Sequence, residues 1–584
     1  MLNYIYKTWE RIKNKIFQLS PLQLSFIFNL LCLIPFILSH TMKFETSDDF
    51  IMELIVSGAY NNQPSPEIMF MHIFVGYVLS FLYEIYAHIN WYSLFQIVII
   101  FFSLSAISYI FLSQKKTLLT ITFDILFLSF VSADLYLLMQ FTKTAGIAII
   151  AGGLLLIIYI FEKANKKYFF LGLMFLEIGL LIRQYTLYIT LPFFFLIILF
   201  YIYRYRMKIK KNLLKIFICC ISVLGCFIGN TITEKMYVNS HSDYSEYKEY
   251  NQLRAQLVDY PHPDYYAIKE ECQKIGITEI DYLTFLHWNF GDTSYFSKEK
   301  LKDLNQILEK YHSEHRTGYK DTLIKLLDRN YMNYIFVWTI IIIDILFLLY
   351  QRKMLFIYLI YILGFVSLFY VLLYRGRLVY RIESVILFTV ITHLIYLMIY
   401  FAKKQNKDYK SFLLTLLSMM VLLRIPLYYQ NDSSSVFDIM YYANDNSLSK
   451  YRTTFNKENN QHNLFNEIIG HRDNIYLLGF QTTVQSIYLN YNILDIVEPN
   501  IFTNSLFLSG ADTKHPTVVK ILENQNVEDT FALLNHENVY LIENYYIDEI
   551  ISFINQRSDT KKKKVFIKEI DGYQIWKIVS AKGE

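Results

Sequence analysis

Tyr374-Arg-Gly-Arg-Leu-Val-Tyr-Arg381 sets three arginines, Arg375, Arg377 and Arg381, between two long apolar runs. An arginine at mid-bilayer costs roughly 2.5–3.5 kcal/mol, and less toward the interface. Three of them beside a membrane therefore need a counter-charge. Guanidinium is a planar, permanently charged, bidentate clamp for phosphate, and an anionic lipid headgroup is the natural partner. Asp48-Asp49 opens an amphipathic stretch much earlier in the chain. An ionised carboxylate at the mouth of a wet cavity can take the proton of an attacking hydroxyl. Acid and arginines together suit chemistry on a lipid-linked phosphate, with the arginines stabilising the departing phosphate. Plainer readings stand beside this one. Thr46-x-x-Asp49 matches a capping box, and acids in a first helical turn complement the macrodipole. The arginines can also snorkel, or pair with Glu383.

The elements that must position these groups are read from composition and hydropathy. Of 584 residues, 54% are hydrophobic and only 18% charged, with a mean hydropathy of +0.27. That much apolar surface implies a chain embedded largely in a membrane. Aromatics reach 17%, with 50 Tyr and 47 Phe, as suits interfaces and polar cavities. Cys32, Cys219, Cys220 and Cys226 fall in apolar runs and Cys272 in a polar loop, so no disulfide framework is implied.

Apolar stretches of spanning length occur at about 22–40, 91–113, 117–134, 145–161, 168–182, 185–203, 213–232, 333–350, 354–374, 378–400 and 411–427. No small-residue cleavage site follows the first, which reads as an uncleaved span. A twelfth stretch, 66–88, decides the topology. Placed in the interface rather than across the membrane, it brings every basic loop to one side: 1–20, 114–117, 162–167, 204–215, 351–353 and 403–410. Those loops hold 21 Lys and Arg against Glu10, Glu162 and Asp408. The positive-inside rule then predicts eleven spans, a cytoplasmic amino terminus and an extracytoplasmic carboxyl terminus. His72, Glu84 and His88 among the aromatics of 66–88 suit an interfacial helix.

Three segments are thus expected outside. The first is loop 41–90, the second loop 233–332, with helices near 244–258, 264–275 and 298–311. The third is a domain over 430–584, separated from the transmembrane domain over 1–429 by Asn431-Asp-Ser-Ser-Ser435. Strand patterns at 474–479, 538–543, 565–567 and 573–578 alternate with helical patterns at 515–524, 527–535 and 546–556. This predicts a small α/β domain. It carries no G-x-G-x-x-G or P-loop, so no nucleotide site is expected.

Further residues at the outer ends complete the candidates. Arg183, between the fifth and sixth spans, extends the phosphate clamp. Lys143 and His72 are cavity-lining candidates, each with a plainer reading as an interfacial anchor. Glu177 inside a span needs burial or a partner, and Arg183 is the simplest one. Lys561–Lys564 reads as a solvated turn.

The order of a basic start, one span, an acidic pair and the helix Pro66-Glu-Ile-Met-Phe-Met-His-Ile-Phe74 resembles the GT-C superfamily of polytopic membrane glycosyltransferases. That superfamily includes protein mannosyltransferases and the aminoarabinose transferase of lipid A. Phe170-Leu-Gly-Leu-Met-Phe-Leu-Glu-Ile-Gly179 before Arg183 is similar to its Gly-rich short span. A His-Pro-Pro signature is lacking, and the resemblance covers 1–235 in pattern and the remainder in architecture. It implies an inverting transferase that moves a sugar from a polyprenyl-phosphate carrier to a cell-envelope glycan, teichoic-acid polymer or lipid-linked acceptor. Asp48 would be the base and Asp49 its neighbour. The doublet lacks Asp-x-Asp spacing, so no metal or other cofactor is indicated. Two rivals remain: an envelope-polysaccharide polymerase or ligase built around 233–332, and a lipid-linked-saccharide transporter, for which the paired broken helices and repeated halves are missing.

Overall fold

A run of about 20 apolar residues without charge has no face that water stabilises, and a helix satisfies all its backbone polar groups internally. Among the described residues of the computed structural model, seven helices are long and apolar enough to cross a membrane. The structure describes residues 14–39, 42–114, 116–163, 165–204, 209–315, 318–328, 355–401, 462–484, 493–494 and 502–581. The seven are α1 (Pro21–Ser39), α4 (Trp91–Gln114), α5 (Leu118–Leu137), α6 (Phe141–Phe161), α9 (Ile209–Ser240), α11 (Leu355–Tyr374) and α12 (Tyr380–Phe401). Between α1 and α4 lie β1 (Lys43–Phe44), α2 (Ser47–Ser57) and α3 (Ile73–Ile85). β2 (Leu138–Met139) precedes α6, while α7 (Lys166–Arg183) and α8 (Thr186–Arg204) precede α9. The structure thus bears out a mainly helical membrane protein. The segments expected at 168–182 and 185–203 are helices, but α7 carries charges at both ends and α8 is a shorter apolar helix with Pro192 inside. The expected spans at 333–350 and 411–427, and the polar break at 431–435, lie outside the described residues.

α6 is apolar on all sides and buried along almost its whole length, so it forms the bundle's centre. Its approach to α7 is set by glycines. A Cβ on Gly152 would stand 2.6 Å from the carbonyl oxygen of Gly172, and one on Gly179 2.8 Å from that of Ala145. Helices approach this closely only where small residues line the contact. α9, by contrast, exposes Leu213, Leu214, Phe217, Ile221, Leu224, Ile228 and Ile232. Its 32 residues make it about 48 Å long, more than the roughly 30 Å of hydrocarbon in a bilayer.

The bundle has two unlike ends. At one, Lys116 donates to backbone carbonyls at Phe17 and Leu19, and Glu162 accepts from Gln114, Tyr201 and Tyr396. The other gathers the ends of α1, α5, α7, α9 and α11 and the starts of α4, α6 and α12. There β1 pairs in parallel with β2, and the His72 backbone N–H donates to Leu181 O at 2.8 Å. α3 runs along this second end. Its amino terminus is tied to α7 and α9, and Tyr83 near its carboxyl terminus bonds Asn90 at the start of α4. It leaves Phe74, Tyr77, Val78, Phe81 and Ile85 exposed. Its 13 residues span only about 20 Å, less than the roughly 30 Å of hydrocarbon in a bilayer.

The polar segments rest on the same end. α10 (Ser242–Val258), a helix over Lys298–Glu314 and shorter helices over Lys269–Lys274, Glu279–Leu286 and Tyr319–Asp328 make up the second loop. The carboxyl-terminal region is a mixed sheet of five strands in the order β4-β3-β5-β7-β6. Its strands are β3 (Ile475–Leu478), β4 (Ser505–Phe507), β5 (Val539–Ile542), β6 (Lys562–Ile570) and β7 (Tyr573–Ser580), with helices over Pro516–Asn524 and Ile547–Asn555. Lys561–Lys564, expected in a turn, instead enters edge strand β6. This α/β unit docks on both polar loops. The Tyr60 hydroxyl donates to Asp512 at 3.1 Å, the Tyr247 hydroxyl donates to Ala511 O at 2.9 Å, and Trp288 stacks on Phe480 with centroids 4.3 Å apart.

The α6–α7 contact yields a direct expectation. Gly152→Val must push against backbone of α7, and overpacking of this kind costs roughly 1–3 kcal/mol. Gly225, with open space around its Cα, is the control. Thermal unfolding of the detergent-solubilised protein should show a lowered midpoint for Gly152→Val and none for Gly225→Val.

Candidate functional site

Asp48 and Asp49 lie in the first turn of α2, but the capping box does not form. Thr46 is the N-cap residue in extended conformation, and its side chain makes no capping bond. The two carboxylates have different fates because successive helical residues point about 100° apart. Asp49 is fully buried. Its Oδ1 accepts from the Tyr92 hydroxyl at 2.8 Å, from Gln96 Nε2 at 2.9 Å and from the Phe141 backbone N–H at 3.2 Å. Burial pushes its carboxyl up to about 7, opposed by these hydrogen bonds and reinforced by the neighbouring Asp48 charge. Asp48 remains partly exposed. Of the pair, it is the one in contact with water.

The start of α6 organises what surrounds them. Gln140 is its N-cap, accepting from the backbone N–H groups of Thr142 and Lys143, and the Thr144 hydroxyl donates to Gln96 Oε1 at 2.8 Å. Phe141 holds Asp49 through its N–H, and its ring faces Arg183. The Arg183 guanidinium carbon lies 5.4, 5.3 and 5.7 Å from the ring centroids of Phe70, Phe141 and Tyr185. Aromatic faces attract a cation without neutralising it. Among the described residues Arg183 has no carboxylate within ion-pair distance. Arg381, Asp48 and Arg377 all act on it electrostatically. The structure therefore gathers Asp48, Arg183, Arg377 and Arg381, drawn from three distant regions of the sequence, at one end of the bundle.

The remaining candidates are distributed less simply. Arg377 is engaged by Asp259 of the second loop, Nη2 to Oδ2 at 2.8 Å, and lies over Tyr260. Arg375 is exposed. The turn carrying both is a Schellman motif. Gly376 has φ +76°, the N–H of Arg377 donates to Leu372 O and that of Gly376 to Leu373 O. Lys143 is fully buried rather than lining an open cavity. Its Nζ lies 2.8 Å from Glu45 Oε2 and 3.0 Å from Asp134 Oδ2, and the Tyr380 hydroxyl donates to Asp134 Oδ1 at 2.7 Å. His72 is the N-cap residue of α3. Its Nδ1 accepts from the Phe74 N–H while Nε2 donates to Asn230 O or Thr233 Oγ1 of α9, so it ties helices together. Glu177 forms no ion pair with Arg183. Six residues separate them, about 120° around the helix and 9 Å along it, and the Glu177 carboxylate faces the Cys226 thiol instead.

Several groups central to this arrangement were not singled out from the sequence: Glu45, Tyr92, Gln96, Asp134, Phe141 and Tyr380. Gln96 and Asp134 did carry a signal, being polar residues inside apolar spans. A separate cavity of about 320 Å³ opens between the second loop and the α/β unit, lined by Asp243, Glu246, Asp512, Lys514 and Asp529. Asp48 does not line it. No family model, curated protein or solved structure matches the chain.

The roles of the two acids can be separated by substitution. Asparagine at 49 preserves the accepting oxygen; alanine leaves three buried donors unpaired, each costing roughly 1–3 kcal/mol. Asp49→Ala should lower the unfolding midpoint well below that of Asp49→Asn. Because the Asp49 pKa is raised on folding, its contribution is full below the unfolded value near 4 and is lost as pH rises through about 7. Unfolding midpoints measured from pH 4 to pH 8 should therefore fall less steeply in Asp49→Asn than in the wild type.

Proposed function

We propose that the chain is a membrane glycosyltransferase using a polyprenyl-phosphate-linked sugar, with Asp48 as base and Arg183 and Arg381 at the lipid phosphate. The observation that carries this reading is a partly exposed carboxylate, Asp48, acting electrostatically on a guanidinium, Arg183, that lies against three aromatic rings and has no ion-pair partner among the described residues. Asp48 would take the proton of the acceptor hydroxyl as its oxygen attacks the anomeric carbon. The sugar–phosphate bond breaks and the lipid phosphate leaves with its charge met by guanidinium. Asp49, whose Oδ1 is committed to Tyr92, Gln96 and Phe141, would orient the loop rather than act as the base. Arg377, paired with Asp259, would fix the second loop over the site, and Arg375 would meet headgroups at the rim. By the positive-inside rule the basic end of the bundle faces the cytosol, so the site would open on the extracytoplasmic side.

The test uses the purified full chain in lipid nanodiscs with radiolabelled polyprenyl-phosphate sugars, paired with mass spectrometry of envelope glycans from cells with and without the gene. Asp48→Asn is expected to reduce transfer by at least ~100-fold, the usual size of general-base catalysis. Arg183→Gln should raise the KM for donor. Loss of a side-branch sugar, rather than of long chains, separates this reading from a polymerase. Full activity in Asp48→Asn would overturn it.

A further inference from the structure

We infer that Lys143 is a positioning residue, the tie that holds the Asp48 loop and the Arg381 turn in one register; this rests on the transferase reading above. Glu45 stands three residues before Asp48, a chain reach of about 10 Å at most. Its backbone N–H is fixed to Met139 O at 2.9 Å by the β1–β2 pairing. Tyr380 directly precedes Arg381. Lys143 Nζ bonds Glu45 at 2.8 Å, Asp134 Oδ2 at 3.0 Å and Asp134 O at 3.1 Å, and Asp134 takes the Tyr380 hydroxyl at 2.7 Å. The Lys143 ammonium also lies 5.6 Å from the Tyr380 ring centroid. A single buried path of bonds thus runs from the acid loop through α6 and α5 to the arginine turn.

Lys143, Glu45 and Asp134 are all fully buried. Burial raises the Glu45 carboxyl above its ordinary value, opposed chiefly by the Lys143 ammonium and more weakly by the Arg381 charge. Such a tie sets the separation between base and phosphate clamp. An error of about 1 Å in that separation can cost on the order of 100-fold in rate.

Lys143→Met alone strands two carboxylates and is expected to misfold, so the informative variant is Lys143→Met with Glu45→Gln and Asp134→Asn. It is neutral throughout and leaves Asp48 and Arg381 in place. Two readouts are taken on the full chain in nanodiscs. The first is the electron–electron distance between spin labels at positions 47 and 375, in a background lacking the native cysteines. The second is the split of kcat and KM for the lipid-linked sugar. The expected result is a wild-type unfolding midpoint, a broadened distance distribution, and a kcat reduced roughly 100-fold with little change in KM. An unchanged distribution overturns the inference whatever the activity, and so does a broadened one with wild-type kcat. A wild-type chain inert toward every donor would instead mark failure of the transferase reading, with the distance measurement still deciding whether Lys143 joins the two loops.

Discussion

Carboxylates packed at the end of a membrane bundle, away from water, must find protein partners, and the first turn of α6 supplies at least one to each of Asp49, Glu45 and Asp134. Phe141 gives a backbone N–H to Asp49, Thr144 a hydroxyl to Gln96, and Lys143 an ammonium to Glu45 and Asp134. The positive dipole of a helix start adds to this. The same helix is buried along almost its whole length and locked to α7 through glycines. The polar end is therefore built outward from a rigid centre, and the loop bearing Asp48 takes its place because its neighbours on both sides are bonded to α6.

This arrangement divides labour between adjacent acids. Asp49 commits its carboxylate to three donors and is sealed, which leaves Asp48 partly exposed one residue away. Cations are divided likewise. Arg377 is held by Asp259 and so joins the second loop to the bundle, whereas Arg183 is held by three aromatic rings, which orient a guanidinium while leaving its charge to act outward. A site meant to receive an anion needs a cation of the second kind. One already neutralised by a carboxylate would have to give up that partner first.

The apolar helices were legible because a spanning helix writes itself as a long uniform run, and α1, α4, α5, α6, α11 and α12 fall where hydropathy puts them. β3, β5 and β7 were legible from short apolar runs between turn residues. Ser505–Phe507 was not, since three residues are too few to set a pattern. α7 was legible as the apolar run 168–182, whereas the glycine contacts that fix it against α6 were not. Capping logic assigned Thr46 and Asp49 to each other, and tertiary partners from α4 and α6 displaced that local bond at Asp49.

The sequence by itself determined that this is a polytopic membrane chain with an acidic pair, an arginine-rich turn and a carboxyl-terminal α/β region. Hydrophobic runs, charge bias and strand alternation are local in the chain and survive without knowing any contact. Only the tertiary structure decided which acid is buried, which arginine is paired, and that Lys143 is a buried tie instead of a cavity wall. Those outcomes depend on groups more than 40, and in the case of Tyr380 more than 200, residues apart meeting in space. No spacing rule in one dimension encodes such meetings.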